Sequence, residues 1–219
     1  WDKVRSLTLA HAKQYNQDEE DACSSVRMAD RRALERIAQI RAQFPVIQQP
    51  WKHSSTTPHQ NAIERKLSQA KGLIVTGGHV AILRNRLHFF GLNKSILKFH
   101  QEGKPIIAWS AGAMALSEQI VLYYDDPPQG LGIPEILDTG IGLIKNTVFL
   151  PHASTRLRLR KKERLSRLAR RFEPFTCICL ENGDHLIYDD DHVMRNGCQS
   201  GEDRVIGRDG NMFNLGGST

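Results

Sequence analysis

Two short apolar runs, residues 72–76 and 106–109, constrain the fold of this chain more than any other feature of its sequence. Each run has the length of a buried strand, each leads into small residues, and each is followed by a helical pattern. Strands that alternate with helices are typical of a parallel sheet that is covered on both faces. We therefore predict an α/β protein with a mostly parallel central sheet flanked by helices.

The remaining segments are compatible with this architecture. Apolar residues at near-helical spacing predict a mainly helical N-terminal segment over residues 1–43. The stretch 125–142 is rich in Asp, Pro and Gly and is expected to form a loop. A chain of 219 residues fits one domain, so we expect a single α/β domain over residues 1–219. Further strands are predicted at 120–124 and 147–150, and antiparallel strands near the C-terminus at 176–180, 186–188, 192–194 and 204–206.

Composition excludes several classes of protein. Hydrophobic residues make up 40% of the chain and charged residues 25%, which is typical of a globular protein and not of a disordered one. No apolar run approaches the ~20 residues of a membrane-spanning helix, and no signal-peptide pattern is visible. The four cysteines have neither C-x-x-C nor zinc-site spacing, which favours ordinary buried thiols in a reducing compartment. We expect a cytoplasmic protein with no membrane partner.

Ser110 is the strongest candidate for a catalytic residue. It lies between the end of a predicted strand and the start of a predicted helix, and its neighbours Ala108, Ala111 and Gly112 are small. A nucleophile elbow needs this pattern, because the backbone turns sharply and the seryl oxygen then projects beyond the sheet. The amide of Ala111 would be one oxyanion donor, and Gly78, at the end of the preceding strand, is a candidate for the second. On these residues alone, a small-residue turn without catalytic function stays open.

A histidine is expected to act as the base. The sequence has nine histidines, and His152 is the one that follows the strand predicted at 147–150 after a single proline. Because the carboxyl ends of neighbouring parallel strands share one edge of the sheet, His152 is expected to lie at the same edge as Ser110. We therefore predict His152 as the base of a serine hydrolase.

An acid that orients the histidine is expected as the third member of the site. Asp125 and Asp126 follow the strand predicted at 120–124, and we favour Asp125, with Asp126 close behind. Glu118 is a weaker candidate, because it is expected to lie on the helix that follows the serine. The alternative, that both aspartates are only turn residues before Pro127, stays open.

The net charge of +6 is concentrated in residues 156–171, which are rich in arginine and lysine and contain a single acid. Such a stretch is compatible with nucleic-acid binding. However, aromatic residues are only 7% of the chain and none is interleaved with these basic residues. The leucines of the stretch have helical spacing, which favours a surface helix with a solvated basic face. A nucleic-acid partner is therefore not expected, although a nucleic-acid-binding protein that uses this helix stays an alternative.

A run of acidic residues near the C-terminus contains ligand types that bind metals. The run consists of Asp189, Asp190, Asp191 and His192. Consecutive polar residues between two predicted strands are also typical of a solvated turn, which is the interpretation that we favour. We expect no metal site.

Four segments of the chain together resemble a known family. In order they read GLIVTGGHVAIL, GKPIIAWSAGAMAL, GIGLIKNTVFLPHASTRLR and CICLENGDHLIY. They resemble the dipeptidase E and cyanophycinase group of serine peptidases, whose three-layer fold is like that of the class I glutamine amidotransferases. The resemblance implies Ser110 as nucleophile, His152 as base and oxyanion donors near Gly78 and Ala111. It also implies that neither a metal nor an organic cofactor is used.

The resemblance also implies a class of substrate. Members of the group release N-terminal aspartyl residues or cleave β-aspartyl-arginine units, so we expect hydrolysis of a peptide or isopeptide bond in small aspartyl-containing peptides. Arg156 resembles an arginine found just after the histidine in cyanophycinases, and its guanidinium is expected to pair with a substrate carboxylate. His79 stands where the family usually has Asn, and is expected to contact substrate. Ala108 replaces the usual first glycine of the elbow. Members often form dimers, so a homodimer is an expectation.

Two further alternatives stay open at this point. The amidotransferase-like architecture hosts several functions, so the chain also fits a non-catalytic relative that has kept the fold. An esterase of the ordinary α/β-hydrolase type fits the order Ser, Asp, His. The interval from Ser110 to His152 is short for that fold, which makes the peptidase the favoured interpretation.

Overall fold

The structure is a computed structural model that describes residues 2–43, 49–123, 134–189, 192–197 and 204–214. Within these residues the helices are α1 (Asp2–Gln43), α2 (Thr57–Gln69), α3 (Val80–Phe89), α4 (Leu92–Gln101), α5 (Ala111–Leu116), α6 (Ala153–Arg156) and α7 (Lys162–Phe172), with a 3-10 turn at Pro50–Lys52. The strands are β1 (Leu73–Val75), β2 (Ile106–Ala108), β3 (Gln119–Leu122), β4 (Glu135–Thr139), β5 (Thr147–Pro151), β6 (Thr176–Leu180), β7 (His185–Asp189), β8 (His192–Gly197), β9 (Val205–Ile206) and β10 (Met212–Phe213). Strands and helices alternate over much of the chain, which confirms the predicted α/β class.

Two pairs of strands in the described residues are parallel. In the first pair, β1 and β2, Leu73 lies opposite Ile106 and Val75 opposite Ala108. In the second pair, β5 and β6, Leu150 lies opposite Cys179. Both strands of a parallel pair end at the same edge, so the residues that follow them are brought together there.

Antiparallel pairing accounts for the other described strands. β9 pairs with β10 and β7 with β8, as predicted for the C-terminal region. β6, which was predicted in the same antiparallel region, is parallel to β5 on one side and antiparallel to β9 on the other. β4 lies inside the stretch predicted as a loop and is antiparallel to β3, so the loop prediction was wrong there. The sequence Glu-Ile-Leu-Asp-Thr of β4 has no clear strand pattern, and its pairing with β3 decides its conformation.

A core cluster lies between α7 and the strands β5 and β6. Leu165, Leu168 and Phe172 on α7 are buried in this cluster, which confirms the apolar face predicted for the basic stretch. The stretch is not one continuous helix, however, because α7 begins at Lys162 and residues 157–161 lie outside helices. The core therefore holds α7 by its leucines, while Arg167 is exposed and Arg164, Arg170 and Arg171 are half-buried.

The cysteines of β6 behave as the sequence predicts. Cys177 and Cys179 are buried and are not in disulfides. Burial raises the pKa of each thiol to about 12, so both stay protonated near neutral pH. Cys198 lies outside the described residues.

Ion pairs connect the long helix α1 to the rest of the described structure. Arg41 donates hydrogen bonds of 2.9 and 2.6 Å to the carboxylate of Asp138 on β4. The Nε of Arg84 lies 3.9 Å from the same carboxylate and donates to the carbonyl oxygen of Thr139. Asp138 and Arg84 are only 6% and 4% exposed, so these charges are largely removed from water. Neither α1 nor any other described helix is long and apolar enough to cross a membrane.

The basic helix α7 faces acidic residues of α1. Glu19 accepts hydrogen bonds from Arg167 at 3.0 Å and from Arg170 at 3.4 Å. Asp30 accepts two hydrogen bonds from Arg171, at 2.9 and 2.8 Å. These pairs neutralise part of the charge of α7, so the helix presents less positive charge to solvent than the sequence alone indicates.

Replacement of Asp138 by Asn should destabilise the protein. Asp138→Asn is expected to lower the free energy of unfolding by about 2–3 kcal/mol, because it leaves the guanidinium groups of Arg41 and Arg84 without a buried counter-charge. Urea unfolding at neutral pH measures the difference. Lys98→Ala is the control: it removes an exposed pair with Glu102 and should leave the midpoint unchanged. Equal midpoints for the two variants would contradict this account.

The contribution of Asp138 should depend on pH. Burial acts to raise the pKa of this carboxyl, but the hydrogen bonds and charge of Arg41, together with Arg84, outweigh burial and lower the pKa below its ordinary value of 3.8. A lowered folded-state pKa gives stability that is present above the unfolded-state pKa and is lost as the pH falls through the folded-state value. The difference in unfolding free energy between wild type and Asp138→Asn should therefore shrink below about pH 4. A difference that stays constant in acid would contradict the ion-pair explanation.

Candidate active site

Ser110 has the backbone conformation of a sharp strand-to-helix turn. It follows β2 after one residue and directly precedes α5, with φ 53° and ψ −122°. A positive φ at a residue other than glycine costs of order 1–3 kcal/mol and is retained only where the surrounding structure enforces it. Such conformations occur preferentially at functional sites, and a serine at a sharp strand-to-helix turn is typical of a nucleophile elbow.

Close backbone contacts enforce the conformation of Ser110. A Cβ atom on Gly112 would lie 2.1 Å from the carbonyl oxygen of Val75, so only glycine lets α5 approach β1 this closely. The amide of Trp109 donates to the same carbonyl oxygen at 3.3 Å. A Cβ atom on Gly77 would lie 3.0 Å from the Cβ of Ser110, which places the glycine turn after β1 beside the serine. Of the small residues that the sequence singled out, Gly112 is thus required by space.

The predicted oxyanion donors lie at the two turns that flank this contact. Gly78 has φ +125°, a conformation that strongly favours glycine, and stands between β1 and α3. Ala111 is buried at the first position of α5, where a helix amide has no partner within its own helix. Both positions are compatible with the predicted roles.

His152 occupies the turn after β5. Its backbone is left-handed, with φ 58° and ψ 39°, and α6 begins at the next residue. The amide of His152 donates a 2.7 Å hydrogen bond to the carbonyl oxygen of Leu180, the last residue of β6. The parallel pair β5–β6 therefore fixes the position of the histidine at the carboxyl edge of these strands.

Ser110 and His152 both line one cavity, which has a volume of about 1150 Å³. Its other walls include residues of β2, β5 and β7 and of the turn after β6. A cavity with mostly apolar walls and a few polar groups is typical of a ligand site.

The residues predicted to contact substrate lie outside this lining, as far as the described residues define it. His79 is exposed and directly precedes α3. Arg156 is half-buried on α6, with its guanidinium 5.7 Å from the centre of the Tyr123 ring and Nη1 3.5 Å from the Tyr123 hydroxyl. That hydroxyl donates to the carbonyl oxygen of Pro151, so Arg156 is connected to the residue that precedes His152.

The predicted acids are not brought to His152 by any described contact. Asp125 and Asp126 both lie outside the described residues. Glu118 was expected on the helix after Ser110, but that expectation was wrong, because α5 ends at Leu116. The carboxylate of Glu118 instead accepts a 2.8 Å hydrogen bond from the amide of Asn146 in the loop before β5.

Two acids at the cavity were missed in the sequence. Glu181 directly follows β6, and its carboxylate accepts hydrogen bonds from the amide and the hydroxyl of Ser154, at 2.6 and 2.9 Å. The side chain of Asp184 is only 2% exposed; it accepts a hydrogen bond from the amide of Glu181 at 2.8 Å and pairs with the Nε of Arg204 at 2.7 Å. Both acids line the cavity. Glu181 is a polar residue directly after the strand predicted at 176–180, just as His152 closely follows the strand predicted at 147–150.

The described residues contain no cluster of three or more metal-ligating side chains. Asp189 lines the cavity that holds Ser110. Asp190 and Asp191 lie outside the described residues. The interpretation of the acidic run as a solvated turn therefore stays a prediction.

Comparison with known families decides the classification. The family model of peptidase family S51 matches residues 47–195, which is more than half of the chain. The chain belongs to peptidase family S51. Membership confirms the resemblance to the dipeptidase E and cyanophycinase group.

Individual proteins are similar to this S51 chain over part of their length. The pyridoxal 5'-phosphate synthase subunit PdxT of Anoxybacillus flavithermus (strain DSM 21510 / WK1) is 36% identical over 66 residues, which cover 30% of this chain and 34% of PdxT. The crystal structure of a candidate peptidase E from Listeria monocytogenes EGD-e is 22% identical, with a TM-score of 0.44, over 61% of this chain and 63% of that chain. The chain thus spans about a third of the length of PdxT and less than two thirds of the Listeria protein.

Gly112→Ala tests the contact that enforces the turn at Ser110. The added methyl group would overlap the carbonyl oxygen of Val75, so we expect a loss of about 1–3 kcal/mol in the free energy of unfolding. Gly72→Ala is the control, because its Cβ would meet its nearest neighbours at an ordinary 3.7 Å. Thermal unfolding of the three proteins measures the effect. A Gly112→Ala variant as stable as Gly72→Ala would show that α5 and β1 are not in close contact.

Proposed function

We propose that this protein is a serine peptidase that hydrolyses a peptide or isopeptide bond in small peptides, with Ser110 as nucleophile and His152 as base. The observation that carries the proposal is the positive φ of Ser110 at a strand-to-helix turn, in the same cavity as His152. Membership of family S51 gives the proposal its reaction class.

The proposed reaction follows the chemistry of acyl transfer. His152 takes the hydroxyl proton as the Oγ of Ser110 attacks the carbonyl carbon of the substrate. The oxyanion that forms is stabilised by the amides of Gly78 and Ala111. His152 then gives its proton to the leaving amine, and a water molecule activated by His152 hydrolyses the acyl-enzyme.

The acid that orients His152 is proposed to be Asp125, with Asp126 as the second choice, as the sequence predicts. Glu181 is a further candidate on the evidence of its position: it follows β6, beside the strand that carries His152, and it lines the same cavity. Its hydrogen bonds to Ser154 also give it a positioning role in the turn after His152.

We also propose that the substrates are aspartyl-containing peptides, with Arg156 as the partner of the substrate carboxylate. Support comes from the family and from the contact between Arg156 and Tyr123, whose hydroxyl is bonded to the carbonyl oxygen before His152. A guanidinium held there is close along the chain to the base and suited to bind a carboxylate.

Ser110→Ala and His152→Ala should each reduce kcat/KM by at least ~10³-fold, because each removes a group that the covalent step requires. The measurement is hydrolysis of α-aspartyl dipeptides and β-aspartyl-arginine, followed by mass spectrometry. Ser68→Ala, which removes an exposed serine hydroxyl on α2, is the matched control and should retain wild-type turnover. Equal turnover by Ser110→Ala and wild type would overturn the proposal.

Arg156→Gln should reduce kcat/KM for aspartyl peptides by about ten-fold or more, and leave asparaginyl analogues nearly unaffected, because only the aspartyl substrate offers a carboxylate. Arg160→Gln removes an exposed guanidinium four residues away and serves as the control. A parallel loss on both substrates would assign Arg156 a structural role through Tyr123 instead.

A further inference from the structure

The cavity beside Ser110 is larger than the catalytic groups require, and much of its wall is apolar. Its volume is about 1150 Å³. The wall includes Ile107, Trp109, Phe149, Leu186 and Ile187. Space of this size next to a nucleophile can hold a substrate side chain in addition to the scissile bond.

Large apolar side chains on this wall are open to solvent. Ile107 is 59% exposed, Trp109 50% and Ile187 46%. Ile107 lies on β2, and Trp109 directly follows the end of that strand. Contact with an apolar ligand would remove this surface from water, which is favourable in proportion to the area covered.

Three charged groups on the same wall have partners inside the protein. Asp184 pairs with Arg204, the Nζ of Lys104 lies 2.9 Å from a carboxylate oxygen of Glu102, and Glu181 accepts two hydrogen bonds from Ser154. The carboxylate of Asp189, at the end of β7, is exposed on the same wall. Apart from Asp189, these groups offer a ligand little uncompensated charge, so the apolar surface dominates what the cavity can recognise.

We propose that this cavity binds the side chain of the leaving amino acid, and that the enzyme prefers substrates in which this residue is large and apolar, such as leucine or phenylalanine. The inference rests on the proposed function. We assign the cavity to the leaving amino acid because His152, which protonates the leaving amine in the proposed reaction, lines it. Arg156, proposed to hold the aspartyl carboxylate, is not among the described residues that line it.

Two measurements on one series of dipeptides test the proposal. The series is Asp-Leu, Asp-Phe, Asp-Gly and Asp-Lys, with kcat/KM measured for the wild type and Kd measured by calorimetry on Ser110→Ala. We expect Asp-Leu and Asp-Phe to exceed Asp-Gly and Asp-Lys by about ten-fold or more in kcat/KM, and to bind Ser110→Ala more tightly by a similar factor. Binding to Ser110→Ala requires no turnover, so the Kd values test the side-chain preference of the cavity even if the proposed function fails.

Ile107→Ala and Ile74→Ala form a matched pair for the same series. The two isoleucines lie opposite each other in the register of β1 and β2, and both are 59% exposed, but only Ile107 is among the described residues that line the cavity. Ile107→Ala should reduce the preference for leucine over glycine by about five-fold, and Ile74→Ala should leave it unchanged.

Equal Kd values for leucyl and glycyl dipeptides, or no measurable binding of either to Ser110→Ala, would overturn the proposal. So would an equal effect of Ile107→Ala and Ile74→Ala on the preference. Undiminished turnover by Ser110→Ala would instead overturn the proposed nucleophile. The comparison of Kd values would then still test whether the cavity prefers an apolar side chain.

Discussion

The contact between α5 and β1 fixes the position of the proposed nucleophile. Val75 ends β1, and its carbonyl oxygen faces both the amide of Trp109 and the bare Cα of Gly112. With β1 and β2 in register and α5 this close, the two residues between β2 and α5 have to turn sharply, and Ser110 does so with a positive φ. All six residues of α5 are buried, and this burial offsets the free-energy cost of the conformation of Ser110.

The second parallel pair supplies the rest of the site. His152 follows β5 and is bonded through its amide to the end of β6, so its place depends on the pairing of these strands. The buried pair between Asp184 and Arg204 holds the turn after β6, and Glu181 in that turn holds Ser154. Polar groups thus meet at the strand ends, while the strands give the adjoining cavity its apolar wall. This division suits an enzyme that places chemistry at one end of a pocket and recognises an apolar group in the remainder.

Local sequence patterns predicted the parts of the fold that are themselves local. The runs before Ser110 and His152 are short, apolar and followed by small residues or proline, so the strands and the turns after them could be located. β4 was missed because the charge of its buried Asp138 is balanced by Arg41, which is 97 residues away along the chain, and by Arg84. The pairing of α7 with α1 joins Glu19 to Arg167 across 148 residues and could not be predicted from either segment alone. Glu181 could have been found, because it follows a predicted strand as His152 does.

Covalent labelling tests the central claim most directly. A fluorophosphonate reacts with a serine hydroxyl that a neighbouring base activates, and intact mass followed by peptide mapping locates the adduct. The account predicts one adduct per chain on Ser110, absent from Ser110→Ala and strongly slowed in His152→Ala. An adduct on another serine, or labelling of Ser110 at the same rate without His152, would contradict the assignment of Ser110 and His152 as nucleophile and base.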